Sequence, residues 1–162
     1  WGKPKYDDAM LFEMLILEGM QAGLSWSTIL VKRENYRKAL DGFDPQKIKD
    51  YNQDKLDSLL QDAGLIRNRL KMRAIVKNAK AFIQVQAEFG SFSNYLWQYV
   101  SGHPIQHDYQ TLSDVPASND ISEQMSQDMK KRGFSFVGPT ICYAYMQSVG
   151  LVNDHLVSCD YR

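Results

Sequence analysis

A carboxylate and a tryptophan stand at the two ends of one short turn near the start of the chain. Glu18 closes a largely apolar stretch, and Trp26 follows the segment Gly19–Ser25. A negative charge and an aromatic face that meet in this way can hold one flat cationic ring between them. Taken singly, a glutamate is usually a solvated helix residue and a tryptophan usually belongs to the core. It is the pair that predicts a binding site for a planar cation.

A second segment, Gly133–Gly138, has the composition of a tight connection between two helices. Such a connection points the backbone N–H groups of the turn, and those that begin the second helix, at a single phosphate. Gly138 permits a close approach of the backbone, whereas Pro139 removes one N–H donor. The alternative is an ordinary helical hairpin whose phenylalanine and valine side chains only fill the core. From these residues alone the ordinary hairpin is the favoured interpretation.

The tail of the chain contains half of a potential metal site. His155 and Cys159 are four residues apart, so a helix would place both side chains on one face. They would supply two of the four ligands of tetrahedral zinc, which does not suffice for a structural ion. His103 and His107 have the same spacing but flank Pro104 in a predicted loop. The alternative for His155 and Cys159 is a surface residue and a core residue at a chain end.

The composition narrows the class of protein. The 162 residues are 44% hydrophobic, enough for one compact core, so we expect a single domain over residues 1–162. The 19 basic and 19 acidic residues balance, which gives no support to strong nonspecific binding of nucleic acid. A DNA-binding surface would therefore be local. Basic residues cluster at Arg67, Arg69, Lys71, Arg73, Lys77 and Lys80, and again at Lys130, Lys131 and Arg132. Taken alone, these clusters are better explained as solvated helix faces.

The sequence predicts a soluble cytoplasmic protein. The longest apolar run, around Met10 to Leu17, is interrupted by Glu13 and is far too short to cross a bilayer. No basic segment followed by an apolar one opens the chain, and its two cysteines are too few for a disulfide scaffold. Because the chain begins at Trp1 without an initiator methionine, we also expect an N-terminal segment to precede Trp1.

Apolar residues recur at helical three-and-four spacing along almost the whole chain, which predicts an all-α protein. Glu18 would lie at the end of one helix and Trp26 at the start of the next. The predicted helix starts are Asp8, Ser25, Asp44 with Pro45, Asp54, Asn68, Phe92, Asp120 with Glu123, and Pro139. The predicted ends lie near Gly19, Gly64, Gly90, Val100, Gly133 and Gly150. Residues 102–117 form the longest predicted loop.

The order of these motifs resembles that of the bacterial 3-methyladenine DNA glycosylase I family, within the helix-hairpin-helix glycosylases. The resemblance covers essentially the whole chain, and long motifs in a fixed order are more specific than one short pattern. The matching stretches are Trp1-Gly2, Leu11 to Glu13, Leu17 to Gly19, Gln21 to Trp26, Lys32 to Tyr36, Gln61 to Gly64, Lys130 to Phe134, Phe136 to Gly138, Thr140 to Tyr143, and Gly150 to His155.

The resemblance implies a helix-hairpin-helix fold and the excision of N3-methyladenine from double-stranded alkylated DNA, with the free base as product. Glu18 is then expected to be catalytic and to hydrogen-bond the base, and Trp26 is expected to stack on it. Gly23 and Leu24 are expected on a loop that faces the gap left by the flipped nucleotide. The hairpin residues expected to hold the DNA backbone are Phe136, Val137, Gly138 and Thr140. We expect the protein to act as a monomer.

The resemblance also implies a structural zinc ion. His155 and Cys159 would provide two of its ligands, and a cysteine and a histidine before Trp1 would provide the other two. The alternative is that the chain binds no zinc. Further aromatic residues of the family's base pocket are likewise expected upstream of Trp1.

The implied chemistry fits these residues. N3-methylation makes adenine positively charged, so the glycosidic bond is weakened and the base departs neutral without a proton donor. We therefore expect monofunctional hydrolysis by water, in which recognition by Glu18 and Trp26 contributes more than acid–base catalysis. Many relatives in the superfamily carry an aspartate where this chain has Asn153, which leaves Asp154 with either an electrostatic or a structural role. No lysine is placed as a Schiff-base nucleophile, so strand cleavage is not expected.

Two other functional classes remain compatible with the sequence. A noncatalytic reader of alkylated DNA would keep Glu18 and Trp26, bind lesion DNA and release no base. A helical interaction module would use the hairpin and the basic clusters for packing, and it would show neither salt-dependent DNA binding nor affinity for a free base. The extent of the ordered motifs favours the glycosylase over both.

Overall fold

A computed structural model describes all residues of the chain, 1–162, as a bundle of nine α-helices with one pair of very short strands. The helices are α1 (Asp8–Gln21), α2 (Trp26–Leu30), α3 (Arg33–Ala39), α4 (Pro45–Ile48), α5 (Gln53–Gln61), α6 (Arg69–Phe89), α7 (Phe92–Trp97), α8 (Asp120–Lys131) and α9 (Pro139–Val149). Single 3-10 turns cover Asp41–Phe43, Gln98–Val100 and Leu112–Asp114. None of the helices combines the length and the apolarity that a membrane span requires.

Helix boundaries that are set by an unambiguous local signal are confirmed. The Asn68 side chain accepts the backbone N–H of Lys71 and starts α6, which ends where Gly90 adopts a positive φ of 83°. Pro139 occupies the first turn of α9, which ends at Gly150. Asn68 satisfies one N–H group at the start of α6, Pro139 has no N–H group of its own, and each helix ends at a glycine in the left-handed conformation that is common there.

Three predicted caps are wrong by one or two residues. Helix α1 is capped by Asp7, not Asp8. The Asp8 carboxylate instead accepts the backbone N–H groups of Phe92 and Ser93 at 2.9 Å each, so it stabilises the first turn of α7. Similarly, Asn52 rather than Asp54 caps α5, and the capping box of α8 is formed by Asn119 with Ser122. In each case a neighbouring residue of the same chemical type holds the cap.

Helix α1 lies at the centre of the bundle and carries Glu18. Nine of its 14 residues are buried, including every residue from Met14 to Met20, so the helix is covered almost all round. It packs against α2, α6, α7 and α9. Phe12 meets Phe82 of α6 at 4.9 Å between ring centroids, within one continuous hydrophobic core. A carboxylate near the end of such a helix is therefore inside the protein unless a cavity reaches it.

The sequence pattern does not indicate the two strands, nor the break after Leu30 that separates α3 from α2. β1 (Ile105–Gln106) pairs in parallel with β2 (Val152–Asn153), in the register Ile105 to Val152. Flanking bonds extend the ladder, because Ile105 N–H donates to Leu151 O at 2.8 Å and His107 N–H donates to Asn153 O at 3.2 Å. Part of the predicted loop is thereby fastened to the segment that follows α9.

The first residues of the chain are fastened to the end of α9. Gly2 N–H donates to Gln147 O at 2.8 Å, and Lys5 N–H donates to Val149 O at 2.9 Å. Gly150 allows this approach, because a Cβ atom there would lie 2.2 Å from the carbonyl carbon of Lys3. The strap formed by residues 1–5 carries the Trp1 ring onto the same side of the bundle as Glu18.

Candidate active site

A cavity of about 210 Å³ opens between the end of α1, the start of α2 and the middle of α9. At about 30 Å³ per water molecule it has room for roughly seven waters or one flat bicyclic ring. Its lining residues are Trp1, Glu18, Gln21, Trp26, Ala144 and Gln147. The predicted carboxylate and the predicted stacking residue thus face the same space, as the spacing around the turn suggested.

Glu18 is 4% exposed, yet it lines this cavity. Burial raises the pKa of Glu18 to about 7, and the nearby Ser148 hydroxyl offsets the increase only in part. Burial has this effect because the ionised carboxylate loses its hydration in the apolar surroundings of α1. A cationic ligand in the cavity would lower the pKa of Glu18 again, because an opposite charge stabilises the carboxylate.

A buried lysine holds the turn between Glu18 and Trp26. The Lys71 ammonium group of α6 donates to Met20 O at 2.8 Å and to Ala22 O at 2.6 Å. Burial lowers the pKa of Lys71, but these carbonyls lie at the negative end of the α1 dipole and accept its protons. The sequence analysis placed Lys71 in a basic cluster. In the structure Lys71 is buried and caps the C-terminal end of α1, the helix that carries Glu18.

Asp154 lies behind the cavity wall and not in the cavity. Its carboxylate is fully buried and accepts three side-chain hydrogen bonds: Tyr143 Oη at 2.5 Å, Gln147 Nε2 at 2.9 Å and His107 Nδ1 at 2.6 Å. Burial, with the hydrogen bond to Asp154, raises the pKa of Tyr143. Because no oxygen of Asp154 reaches the cavity, the structure favours the positioning role that the sequence left open.

The predicted hairpin joins α8 and α9, which pack closely against each other. Its conformation requires a positive φ at Gly133 (98°) and at Phe136 (57°), and the second costs free energy because phenylalanine has a Cβ atom. Asn78 of α6 stabilises the turn, since its amide donates to Ser135 O at 3.0 Å and accepts Ser135 N–H at 2.7 Å. Val137 is buried, and its carbonyl oxygen accepts the Cys142 thiol at 3.3 Å, so this residue packs in the core.

The start of α9 presents unpaired backbone donors. Within the protein the N–H groups of Gly138, Thr140 and Ile141 have no acceptor, and no side chain caps this helix. A Cβ atom added at Gly138 would meet nothing within 4 Å, so the approach to these groups is open. Unpaired N–H groups at the positive end of a helix attract anions, which is the arrangement that the phosphate hypothesis requires.

The loop between α1 and α2 is the most exposed segment near the cavity. Gly23 has a φ of 78° with open space around its Cα, and the Leu24 side chain is 37% exposed. Gln21 ties the loop to the cavity, because its Nε2 donates to Leu24 O at 2.8 Å. Phe136 packs over the other end of the turn, 3.7 Å from where a Cβ of Gly19 would lie. The two segments predicted to contact DNA are therefore neighbours.

His155 and Cys159 approach each other at the chain end. The Cys159 Sγ atom lies 3.4 Å from His155 Nδ1, and His155 Nε2 lies 3.3 Å from the Trp1 carbonyl oxygen. Zinc binds sulfur at about 2.3 Å and nitrogen at about 2.1 Å, so tetrahedral ligands of these types lie about 3.5 Å apart. The pair fits two positions of such a site, although no cluster of three or more ligands is formed by residues 1–162.

The whole chain, residues 1–162, matches the protein family described as Methyladenine glycosylase. The chain belongs to this family. It is 50% identical over 159 residues to the DNA-3-methyladenine glycosylase of Haemophilus influenzae, which is 98% of this chain and 86% of that protein. A crystal structure of 3-methyladenine DNA glycosylase I superposes with a TM-score of 0.96 at 46% identity, over 99% of this chain and 88% of that chain. A variant of 3-methyladenine DNA glycosylase I in complex with 3-methyladenine gives a TM-score of 0.96 at 38% identity, covering 99% of this chain and 86% of that chain.

For this methyladenine glycosylase the predicted all-α, helix-hairpin-helix fold is confirmed. The sequence reasoning nevertheless missed several residues of the cavity wall: Trp1, Gln21, Ala144 and Gln147. Trp1 was placed only as part of a matching motif, while pocket aromatics were expected upstream of it. No local signal marks Trp1, Ala144 and Gln147, because the strap and α9 meet the end of α1 only in the folded chain. Gln21 lies between Glu18 and Trp26 in a matching motif but was not singled out.

Proposed function

We propose that this chain excises N3-methyladenine from alkylated double-stranded DNA and leaves an abasic site. The observation that carries the proposal is Glu18, a carboxylate buried within a helix yet open to a cavity of purine size. A group of this kind favours a planar cation, and an N3-methylated adenine is one. The membership of the chain in the methyladenine glycosylase family supports the same substrate.

In the proposed reaction the lesion leaves the base stack and enters the cavity. Flipping costs a few kcal/mol and is easiest at damaged pairs, which contributes to selectivity. Trp26 stacks on the base and Glu18 neutralises its charge while the glycosidic bond lengthens. The base departs neutral with the electron pair of the glycosidic bond, and water adds to the cationic sugar carbon and releases a proton to the solvent. No lysine lines the cavity, which supports a monofunctional enzyme that does not cleave the strand.

The remaining predicted contacts belong to the same proposal. Leu24 and Gly23, on the exposed loop, would face the gap left by the flipped nucleotide. The unpaired N–H groups at Gly138 and Thr140 would bind a phosphate, and the partly exposed Phe136 would lie along the backbone. These contacts are local, which is consistent with a chain whose net charge is zero. A monomer that works in the bacterial cytoplasm completes the proposal.

Release of free bases from dimethyl-sulfate-treated DNA tests the proposed function. We expect chromatography of the released material to show 3-methyladenine, with 7-methylguanine remaining in the DNA. A protein that binds alkylated DNA and releases no base would be a lesion reader, and the proposal would be wrong. A protein that neither binds nor releases would be an interaction module.

The rate of excision should increase with pH as Glu18 ionises. Because its pKa is about 7 and the base is cationic, the productive complex contains the carboxylate. Single-turnover rates at subsaturating enzyme, which report the ionisation of the free protein, should therefore rise through neutral pH and level off above it on a duplex with one N3-methyladenine. The residual rate of Glu18→Gln should lack this rise. A parent rate that falls through neutral pH would show instead that protonated Glu18 acts as an acid.

We also propose that His155 and Cys159 are two ligands of a structural zinc ion, whose other ligands lie outside residues 1–162. Zinc would fasten the chain end to the strap, since His155 also contacts Trp1. Elemental analysis of the full-length protein should find about one zinc per chain, and less in Cys159→Ser. A matched change at the buried Cys142, Cys142→Ala, should leave the zinc content unchanged. Equal zinc in all three proteins would contradict this assignment.

A further inference from the structure

Two glutamines of the cavity wall have their amide groups oriented by the protein. Gln147 Nε2 donates to the buried carboxylate of Asp154 at 2.9 Å, and Gln21 Nε2 donates to the Leu24 carbonyl at 2.8 Å. Neither acceptor can donate in return, so neither amide can be turned around without losing its bond. In both glutamines the nitrogen is therefore held against the protein.

The oxygen ends of the same amides are left for a ligand. Neither Gln147 Oε1 nor Gln21 Oε1 accepts a hydrogen bond within the protein, and no buried side-chain oxygen lacks a partner. Both oxygens must therefore be accessible, and both residues line the cavity. The cavity wall therefore offers three hydrogen-bond acceptors to a ligand: the two glutamine oxygens and the Glu18 carboxylate.

Asp154 restricts the Gln147 amide to one orientation, unlike the amide of a surface glutamine, which is free to rotate. Its carboxylate is fully buried, and Tyr143 and His107 donate to it as well. A reversed Gln147 amide would place an oxygen against a buried carboxylate, which leaves two acceptors unpaired and in repulsion. The β1–β2 pairing contributes indirectly, because it places His107 beside Asp154.

We infer that Gln147, oriented by Asp154, makes the cavity selective for purines that carry an amino group at position 6 over those that carry a carbonyl oxygen there. An amino group would donate to the oxygens that face the cavity, whereas a carbonyl oxygen would be desolvated opposite them without a donor. The loss of one such bond, with an acceptor left unpaired, lowers affinity by about tenfold or more. This inference rests on the proposed function for its choice of ligand, and it concerns which methylated purines the site rejects.

The test compares two free bases, 3-methyladenine and 3-methylhypoxanthine, which differ at position 6. Their affinities are measured by quenching of tryptophan fluorescence in the parent protein and in Asp154→Asn. An amide at position 154 can accept from Gln147 Nε2 or donate to Gln147 Oε1, so the Gln147 amide is no longer held in a single orientation. We expect the parent to prefer 3-methyladenine and the ratio of the two affinities to fall several-fold in Asp154→Asn.

Two further variants keep the test decisive. Gln147→Leu retains the side-chain volume without an amide, and it should lower the ratio by weakening 3-methyladenine binding alone. The control is Asp128→Asn. The Asp128 carboxylate also accepts a hydrogen bond from a tyrosine hydroxyl, Tyr95 Oη at 2.7 Å, but Asp128 lies on α8 and does not line the cavity. Its ratio should equal that of the parent even if its stability is lower. If Asp154→Asn does not fold, Gln147→Leu decides the question alone.

The outcomes separate the inference from the proposed function. Unchanged ratios in Asp154→Asn and Gln147→Leu, or in Gln147→Leu alone, would overturn the inference. A parent that excises 3-methyladenine but binds both bases equally would do so too, while the proposed function would stand. A parent that prefers 3-methyladenine as a free base but releases none from DNA would support the inference and refute the excision activity.

Discussion

Glu18→Gln should abolish most of the excision activity while it makes the protein more stable at alkaline pH. The variant keeps the shape of the side chain but removes the charge that offsets the cationic base. Loss of one preorganised electrostatic partner at a reaction centre typically costs about 10²–10³ in rate. Single-turnover excision of N3-methyladenine at subsaturating enzyme should decrease by that factor, because the base is cationic until the bond breaks and its attraction to Glu18 favours binding of the flipped lesion.

The gain in stability follows from the same burial. The pKa of Glu18 is about 7 in the folded protein and 4.5 when the side chain is solvated. Between these values the folded state holds a proton that the unfolded state has lost, so the stability that this group contributes falls as pH rises toward 7. Above pH 7 the parent carries the full cost of a buried charge. The free energy of unfolding of Glu18→Gln should then exceed that of the parent by about 1–3 kcal/mol.

The control for this prediction is Glu13→Gln on the same helix. Glu13 pairs with Arg33 at 2.6 Å and Arg37 at 3.0 Å and does not line the cavity. Glu13→Gln should lose stability and keep the excision rate, the reverse of the pattern for Glu18→Gln. The stability difference between Glu18→Gln and the parent should narrow toward pH 5. A Glu18→Gln protein as active as the parent would show that the charge has no part in catalysis.

Gly150→Ala should be among the most destabilising changes of one methyl group in this protein. Gly150 has a φ of 79°, which costs alanine about 1 kcal/mol. In addition, the new Cβ would lie 2.2 Å from the backbone of Lys3, so the strap must move or α9 must unwind at its end. Forced overpacking of this kind costs about 1–3 kcal/mol more. Urea denaturation should show a total loss of about 2–4 kcal/mol.

A matched glycine separates the two causes. Gly90 ends α6 with a φ of 83°, but a Cβ there would make only an ordinary 3.5 Å contact with Asn94. Gly90→Ala should therefore lose about 1 kcal/mol, the cost of the backbone conformation alone. Only Gly150→Ala should also weaken binding of free 3-methyladenine, because the displaced strap carries Trp1 away from the cavity. Equal losses of unfolding free energy in the two variants would mean that the strap moves aside without a measurable cost.

Local signals account for the parts of the fold that the sequence predicts well. Asn68 and Gly90 bound α6 because each acts within one turn of its own position. The caps at Asp8 and Asp120 were misplaced because an equally good capping residue precedes each, and only packing decides between them. The β1–β2 pair was missed because two residues per strand are too few to show an alternating pattern.

The site is predictable to the extent that it lies within one turn of chain. Glu18 and Trp26 flank the same turn, so their chemistry could be combined before the fold was known. Gln147 reaches the cavity from α9, near the other end of the chain, and Trp1 reaches it through the strap that is bonded to α9, so no spacing in the sequence relates either residue to Glu18. The burial of Lys71 likewise depends on where α6 crosses the end of α1.

The donors at the start of α9 belong to the main chain, and this affects how the surface can be studied and how it can vary. Every substitution of Gly138, Thr140 or Ile141, except one to proline, leaves the N–H group in place. An alanine scan would therefore overlook an anion contact that these N–H groups make. The side chains at these positions could also change in evolution without loss of that contact. Proline at position 140 is the informative exception, because it is tolerated in the first turn of a helix and deletes one donor.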